Sequence, residues 1–339
     1  MLSTIFWDPS REIFSFNLPF LGRPLLWYGF FFALGFFLGY FILVYSLNRY
    51  FLQHPFFVEK EILKKEKAEA YLLAKGFKKQ EKESLVERLN AFLKKEPFLE
   101  KRYEMEKILK ETVISLKNRG KILAEKALVY AVLGAIIGAR LFDVFFYQDL
   151  ASTLKDPLSI IKVWEGGLSS HGGTLGALIA LALFAKKERQ FMPSLSFLGF
   201  LDFVCLPSAV IAGFIRIGNF FNQEILGTYT TLPFGVVFGH PADGSFPMPR
   251  HPVQIYESLF YFTVAFVLFL FRKRPKEEQG KTVGLFLMLL FGFRFGIEFL
   301  KTEQSAWVNP SFFLTMGQCL SIPIFFLGAF FFFKAKKRL

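Results

Sequence analysis

Cysteine is almost absent from this chain of 339 residues: Cys205 and Cys319 are the only two, and both lie in apolar runs. With no C-x-x-C spacing there is no disulfide framework, and both read as small buried side chains. The N-terminus lacks the basic region, apolar core and small-residue cleavage site of a signal peptide, so the first apolar run is expected to stay as an anchor. No internal repeat of the transporter kind is visible. No RNA- or DNA-binding motif accompanies the excess of 41 Lys and Arg over 28 Asp and Glu, a net charge of +13.

What the chain has in quantity is hydrocarbon. It is 53% hydrophobic and 19% aromatic, with 48 phenylalanines and a mean hydropathy of +0.37, above the apolar content of an ordinary soluble domain. Apolar runs of about 18 residues or more recur, long enough to cross roughly 30 Å of hydrocarbon as helices. Seven spans are expected, at 25–47, 127–147, 168–185, 194–221, 252–271, 282–300 and 312–333. The expected fold is an all-α polytopic membrane protein with seven transmembrane helices, the N-terminus outside and the C-terminus cytoplasmic.

That topology accounts for the charge. Arg11, Arg23, Lys155, Lys162, Arg250 and Lys301 fall in outer loops, Arg140, Arg216 and Arg294 fall in spans, and every other Lys and Arg falls inside. This is the positive-inside bias, which orients spans and needs no nucleic acid. The chain divides into an outer arm with span 1 (1–47), a charged helical cytoplasmic insertion (48–126), and spans 2 to 7 (127–339) with a Gly- and Pro-rich outer loop at 222–251. The insertion carries apolar residues at helical spacing, punctuated by Gly76, Pro97 and Gly120, as in amphipathic helices joined by turns.

Polar residues inside apolar runs are where chemistry is expected, because ionisable groups in a membrane are costly and persist where they face a cavity or substrate path. Four groups stand out. In the first, His171 sits among Gly166, Gly167, Gly172 and Gly173; the glycines allow close approach of a substrate, or Gly172 and Gly176 form a small-residue packing face. In the second, Arg216, Asn219, Asn222 and Gln223 fall on one side of a helix, followed by Glu224 and Gly227. The third runs from Arg250 and His251 through Pro252 and Gln254 to Tyr256 and Glu257, and by itself reads as a helix start with proline in its first turn. The fourth pairs Arg294 with Glu298 at i, i+4, where mutual neutralisation is the structural alternative. The same alternative holds for Arg140 with Asp143, and Tyr28 alone reads as an interfacial aromatic.

Taken together, these residues resemble one family. The ordered set is Tyr28-Gly29, then Gly166-Gly167-Leu168-Ser169-x-His171-Gly172-Gly173, then Arg216-x-Gly218-Asn219-Phe220-x-Asn222-x-Glu224-x-x-Gly227. His251-Pro252-x-Gln254-x-Tyr256-Glu257 and Arg294-Phe295-x-x-Glu298-Phe299 complete it. Five matches in order are similar to the prolipoprotein diacylglyceryl transferases and cover nearly everything but 48–126. The chain departs in having Ile215 where the family usually has glycine, Asp143 where several members carry an aromatic, and a longer insertion.

The resemblance implies transfer of the diacylglyceryl group of phosphatidylglycerol to the lipobox cysteine thiol of a prolipoprotein signal peptide, in the bacterial inner membrane. The products are a thioether and glycerol phosphate. A thiol is a poor nucleophile until deprotonated, which suits His171 as base. Arginines bind phosphate bidentately and stabilise its developing charge in a dry site, which suits Arg140, Arg216 and Arg294. Glu224, Glu298, Asn219 and Asn222 would position the arginines or the glycerol hydroxyls, with Tyr28 lining the pocket and Gly227 beside it. No metal or other cofactor is called for. The competing classes are a lipid or anion transporter lined by buried arginines, and a scaffold whose functional part is the insertion.

Overall fold

The computed structural model describes residues 5–14, 24–53, 66, 69–70, 73, 116–146, 157–161, 167, 169–189, 192, 195–271, 278–302 and 314–335. The amphipathic helices expected in the insertion, Trp164, Gly166 and the basic cluster at 272–274 lie outside them.

The described residues form seven α-helices: α1 (Trp27–Gln53), α2 (Leu116–Phe146), α3 (Ser170–Lys187), α4 (Phe197–Phe221), α5 (Val253–Phe271), α6 (Lys281–Ile297) and α7 (Met316–Lys334). All except α3 are long and apolar enough to cross a membrane. Helix α3 has 18 residues, but polar groups occupy its ends, Ser170 and His171 at one and Lys186 and Lys187 at the other. Large apolar side chains lie bare on several helices, among them Phe37, Phe145, Phe326 and Phe330. Faces of this kind are stable against lipid, since water would penalise a patch of that extent. The protein is a multi-pass membrane protein.

The chain falls into two compact units, one of 1–43 with 185–339 and the other of 44–184. In the first, Leu206 and Ala209 of α4, Val264 and Leu268 of α5 and Val283 of α6 share a core. Three helix starts have a specific acceptor, as the unpaired first-turn N–H groups require. Ser196 caps α4 by accepting from the Gly199 amide (3.1 Å), and Thr315 and Gln318 form a reciprocal capping box on α7. The start of α6 borrows its acceptor from α4: the Asp202 carboxylate accepts from the Gly280 and Val283 amides at 2.7 and 2.8 Å. Pro207 and Pro323 sit within α4 and α7, as membrane helices tolerate.

A small sheet joins the N-terminal arm to the outer loop. Strand β1 (Ile5–Trp7) runs parallel to β2 (Val236–Phe238), and β2 pairs antiparallel with β3 (Pro249–Arg250). A parallel pair needs a long connection, and here more than two hundred residues of chain separate Ile5 from its partner Val236. Trp7 anchors the arm, packing on Phe220 and Phe221 at ring distances of 4.6 and 5.2 Å and donating its indole N–H to the Phe220 carbonyl (3.2 Å).

In the second unit, α2 and α3 meet through glycines. Gly134 and Gly138 lie against Gly172 and Gly176 so closely that a Cβ on any of them would strike the opposing helix. Gly172 and Gly176 are therefore the packing face that their spacing allowed.

Candidate active site

Helix α4 ends in a strained turn. The Asn222 amide still donates to the Gly218 carbonyl (3.0 Å) and the Gln223 amide to Phe220 (3.1 Å). Gln223 (φ 54°) and Ile225 (φ 56°) then both adopt the left-handed conformation, alone among the described non-glycine residues. Each such residue costs about 1–3 kcal/mol and persists only when its surroundings over-determine it. Between them, Glu224 turns back on the helix it follows. Its carboxylate accepts from the Asn219 side-chain amide (2.7 Å) and, at 3.4 Å, from Asn222. Asn219 in turn accepts from Arg216 Nη1 (3.1 Å). The helical side that carries Arg216 and Asn219 is thus held by a residue beyond the helix.

The other half of the guanidinium is held from α5. Arg216 Nε lies 3.0 Å from Glu257 Oε2, and Glu257 Oε1 lies 2.8 Å from Lys301 Nζ. Lys301 also faces Glu298 at 3.6 Å. Glu257 is fully buried and takes a further hydrogen bond from the Tyr261 hydroxyl (3.3 Å). Charged groups withdrawn from water need such pairing. Glu298 turns to Lys301 and not to Arg294, so the i, i+4 neutralisation weighed as the structural alternative does not form. Among the described residues, Arg294 has no hydrogen-bond or ion-pair partner.

Tyr28 and Gly227 close the surroundings. A Cβ on Gly218 would come within 2.9 Å of the Tyr28 ring, so glycine there admits the tyrosine against Arg216's helix. Gly227 has the same reason: a side chain would press on His251 (2.8 Å) and Val253 (3.0 Å). Around it Thr228 N–H donates to the Leu300 carbonyl (2.8 Å) and Thr302 N–H to Leu226 (3.1 Å), tying the turn to the segment after α6. Gln254 holds the Glu224 carbonyl (2.7 Å). The buried Arg250 donates to the Gly227 carbonyl (3.3 Å) and to Tyr229 Oη (3.0 Å), with Asp243 at 3.3 Å.

Arg140 and His171 belong to the second unit. Arg140 is buried and donates to two backbone carbonyls, Ile160 (3.1 Å) and Gly167 (3.2 Å), with Asp143 at 3.7 Å. His171 is the second residue of α3 and is exposed, without a hydrogen bond among the described residues. Ser169 precedes it and accepts from the Gly173 amide through its carbonyl (2.9 Å).

Comparison with known proteins gives the arrangement its chemistry. Residues 103–334 match the family described as prolipoprotein diacylglyceryl transferase. A phosphatidylglycerol–prolipoprotein diacylglyceryl transferase of Protochlamydia amoebophila is 38% identical over 96% of this chain and 94% of its own length. One from Chlamydia muridarum is 34% identical over 96% and 95%, and one from Teredinibacter turnerae is 41% identical over 62% and 71%. The chain belongs to the prolipoprotein diacylglyceryl transferase family. It is an enzyme, which sets aside the transporter and scaffold alternatives.

For a diacylglyceryl transferase, the residues that sequence reasoning passed over are informative. Glu257 was visible only as a motif letter and Lys301 only as one more outer-loop charge, although together they hold Arg216. The signal was available, since an acid at the start of an apolar helix and a lysine three residues after Glu298 each require a partner. Gln223, expected on the helix side of Arg216, instead lies past the end of α4, and its meeting with Asp8 and His240 left no signal because it depends on the β1–β2 pairing.

Proposed function

We propose that Arg216 and Arg294 bind the phosphate of phosphatidylglycerol while its diacylglyceryl group passes to the lipobox cysteine of a prolipoprotein signal peptide. The observation that supports this most is the contrast between the two arginines. Arg216 is fixed on two sides by Asn219 and Glu257, whereas Arg294 pairs with no carboxylate among the described residues. A cation held in place and one unpaired among those residues together suit an anion, and the held one need not reorganise as charge develops.

In the reaction the thiolate sulfur attacks the glycerol carbon that bears the phosphate ester. A carbon–sulfur bond forms as the carbon–oxygen bond breaks, and the oxygen leaves with the electron pair as glycerol phosphate. The thiol proton goes to His171, whose exposed imidazole suits a general base. Glu224 keeps Asn219 and Asn222 facing inward, Glu298 keeps Lys301 in place, and Tyr28 and Gly227 shape the wall. The contacts of Arg140 favour a different duty from the one its sequence suggested: holding the backbone at Ile160 and Gly167. We further infer seven crossings of the bacterial inner membrane, N-terminus outside, with 48–126 as a cytoplasmic insertion. The basic residues in the last turns of α3 and α7 support that orientation.

Purified protein in detergent, given phosphatidylglycerol labelled in its terminal glycerol and a lipobox peptide, tests the reading. Labelled glycerol phosphate should appear with the cysteine peptide and not with its alanine counterpart. Release with both, or with neither, would contradict it.

A further inference from the structure

The strained turn at Gln223 is held by the outer loop that follows it and by Asp8 from the N-terminal arm. The Gln223 side chain is 1% exposed and is used at both ends: its Nε2 donates to Asp8 Oδ1 (3.0 Å) and its Oε1 accepts from the His240 amide (2.7 Å). The Gln223 carbonyl accepts from the Ala242 amide (2.9 Å). Asp8 Oδ1 also lies 2.7 Å from His240 Nδ1. The position of Asp8 follows from the sheet, for β1 ends at Trp7 and the Gly239 amide donates to the Trp7 carbonyl (3.0 Å). A side chain at residue 239 would occupy the Asp8 carboxylate, so glycine admits it.

A glutamine does not take this backbone conformation unaided, and the residue that it turns into place is Glu224. We propose that Asp8 is a positioning residue of the transferase: through Gln223 it holds the left-handed turn that keeps Glu224 on Asn219, and hence Arg216 in its orientation. This rests on the proposed role of Arg216. It makes the N-terminal arm part of the catalytic apparatus, although none of the arm's described residues touches the proposed catalytic groups.

Glycine adopts the left-handed conformation without strain, so a Gln223→Gly enzyme needs no clasp. That gives a test in which a merely structural arm behaves differently. Asp8→Ala should lower turnover by about tenfold, since a misplacement remote from the chemistry can cost up to about a hundredfold. Asp8→Asn, which keeps the acceptor oxygen, should stay near wild type. In the Gln223→Gly background, Asp8→Ala should change turnover by less than about twofold, because residues coupled in one network are not additive. Hydrogen exchange of 222–226 gives a reading independent of activity: faster in Asp8→Ala, and the same in Gln223→Gly with or without Asp8. An Asp8→Ala loss that persists at full size in the Gln223→Gly background, or an unchanged exchange pattern in Asp8→Ala, would overturn the proposal. If the wild-type protein released no glycerol phosphate, the phosphate-site reading would fail, and the exchange data alone would decide the clasp.

Discussion

Arg216 and Arg140 both lie in long apolar helices, Arg140 buried and Arg216 partly buried, and the sequence offers little to separate them. Their partners do. Among the described residues, Arg140 donates to the carbonyls of Ile160 and Gly167 in the segment that follows its helix, and its one carboxylate neighbour, Asp143, stands off at 3.7 Å. Arg216 meets an amide oxygen on one edge and a buried carboxylate on the other, and that carboxylate is shared with Lys301. Carbonyl partners fix the path of the chain and leave the charge where it is. Side-chain partners fix the guanidinium itself, and Glu257 does so while also holding Lys301. A buried arginine is thus better judged by what it is bonded to than by its depth.

The largest effect expected from this contrast is at Arg216. Arg216→Ala should abolish transfer in membranes that retain the protein, and Arg216→Lys should restore little of it, because a lysine cannot bond at two edges of a plane. Glycerol phosphate release per mole of folded protein measures both. Next comes Glu257, whose removal leaves two cations facing an empty buried site. Breaking a buried pair costs about 3–5 kcal/mol, so Glu257→Ala should reduce the yield of folded protein sharply. Glu257→Gln should fold better and still turn over at least about tenfold more slowly, as expected when a charge-assisted bond becomes neutral. Thermal melting in detergent beside the turnover assay separates the two effects.

Arg140 should behave in the opposite sense. Arg140→Ala should lower the melting temperature, in keeping with about 1–3 kcal/mol for carbonyl acceptors left unsatisfied, while turnover per folded molecule falls only a few-fold. A loss of turnover without a loss of stability would return Arg140 to the phosphate.

The smallest effect is on pH. The His240 ring and the Gln223 amide hold the Asp8 carboxyl below its ordinary 3.8. Burial works to raise Asp243, but its bonds to Ser245 and the charge of Arg250 outweigh it, so that it too lies below 3.8. A depressed carboxyl stabilises the fold fully above its unfolded value, and the contribution is lost as pH falls through the lower folded value. Trp7 fluorescence should therefore hold steady from neutral pH to about 5 and change only below 3.8. A transition near pH 6 would point to a different latch.

Much of the fold could be read in advance, because a membrane leaves so few options. Hydropathy marked the helices, and a reason for Gly172 and Gly176 was available in their spacing. The site was legible where its residues shared one helix, as with Arg216 and Asn219. It became illegible where a partner came from another element. Arg216 and Glu257 lie on α4 and α5, and no spacing within either helix pairs them. Asp8 lies more than two hundred residues from Gln223, and no periodicity in either segment announces the contact.

The most direct measurement compares two conservative exchanges, Arg216→Lys and Arg140→Lys. Each is purified in detergent and assayed for release of labelled glycerol phosphate per folded molecule. The account predicts a loss of about a hundredfold or more for Arg216→Lys, the scale of removing one transition-state donor, and a loss within about threefold for Arg140→Lys. Equal losses, or a larger loss at Arg140, would contradict it.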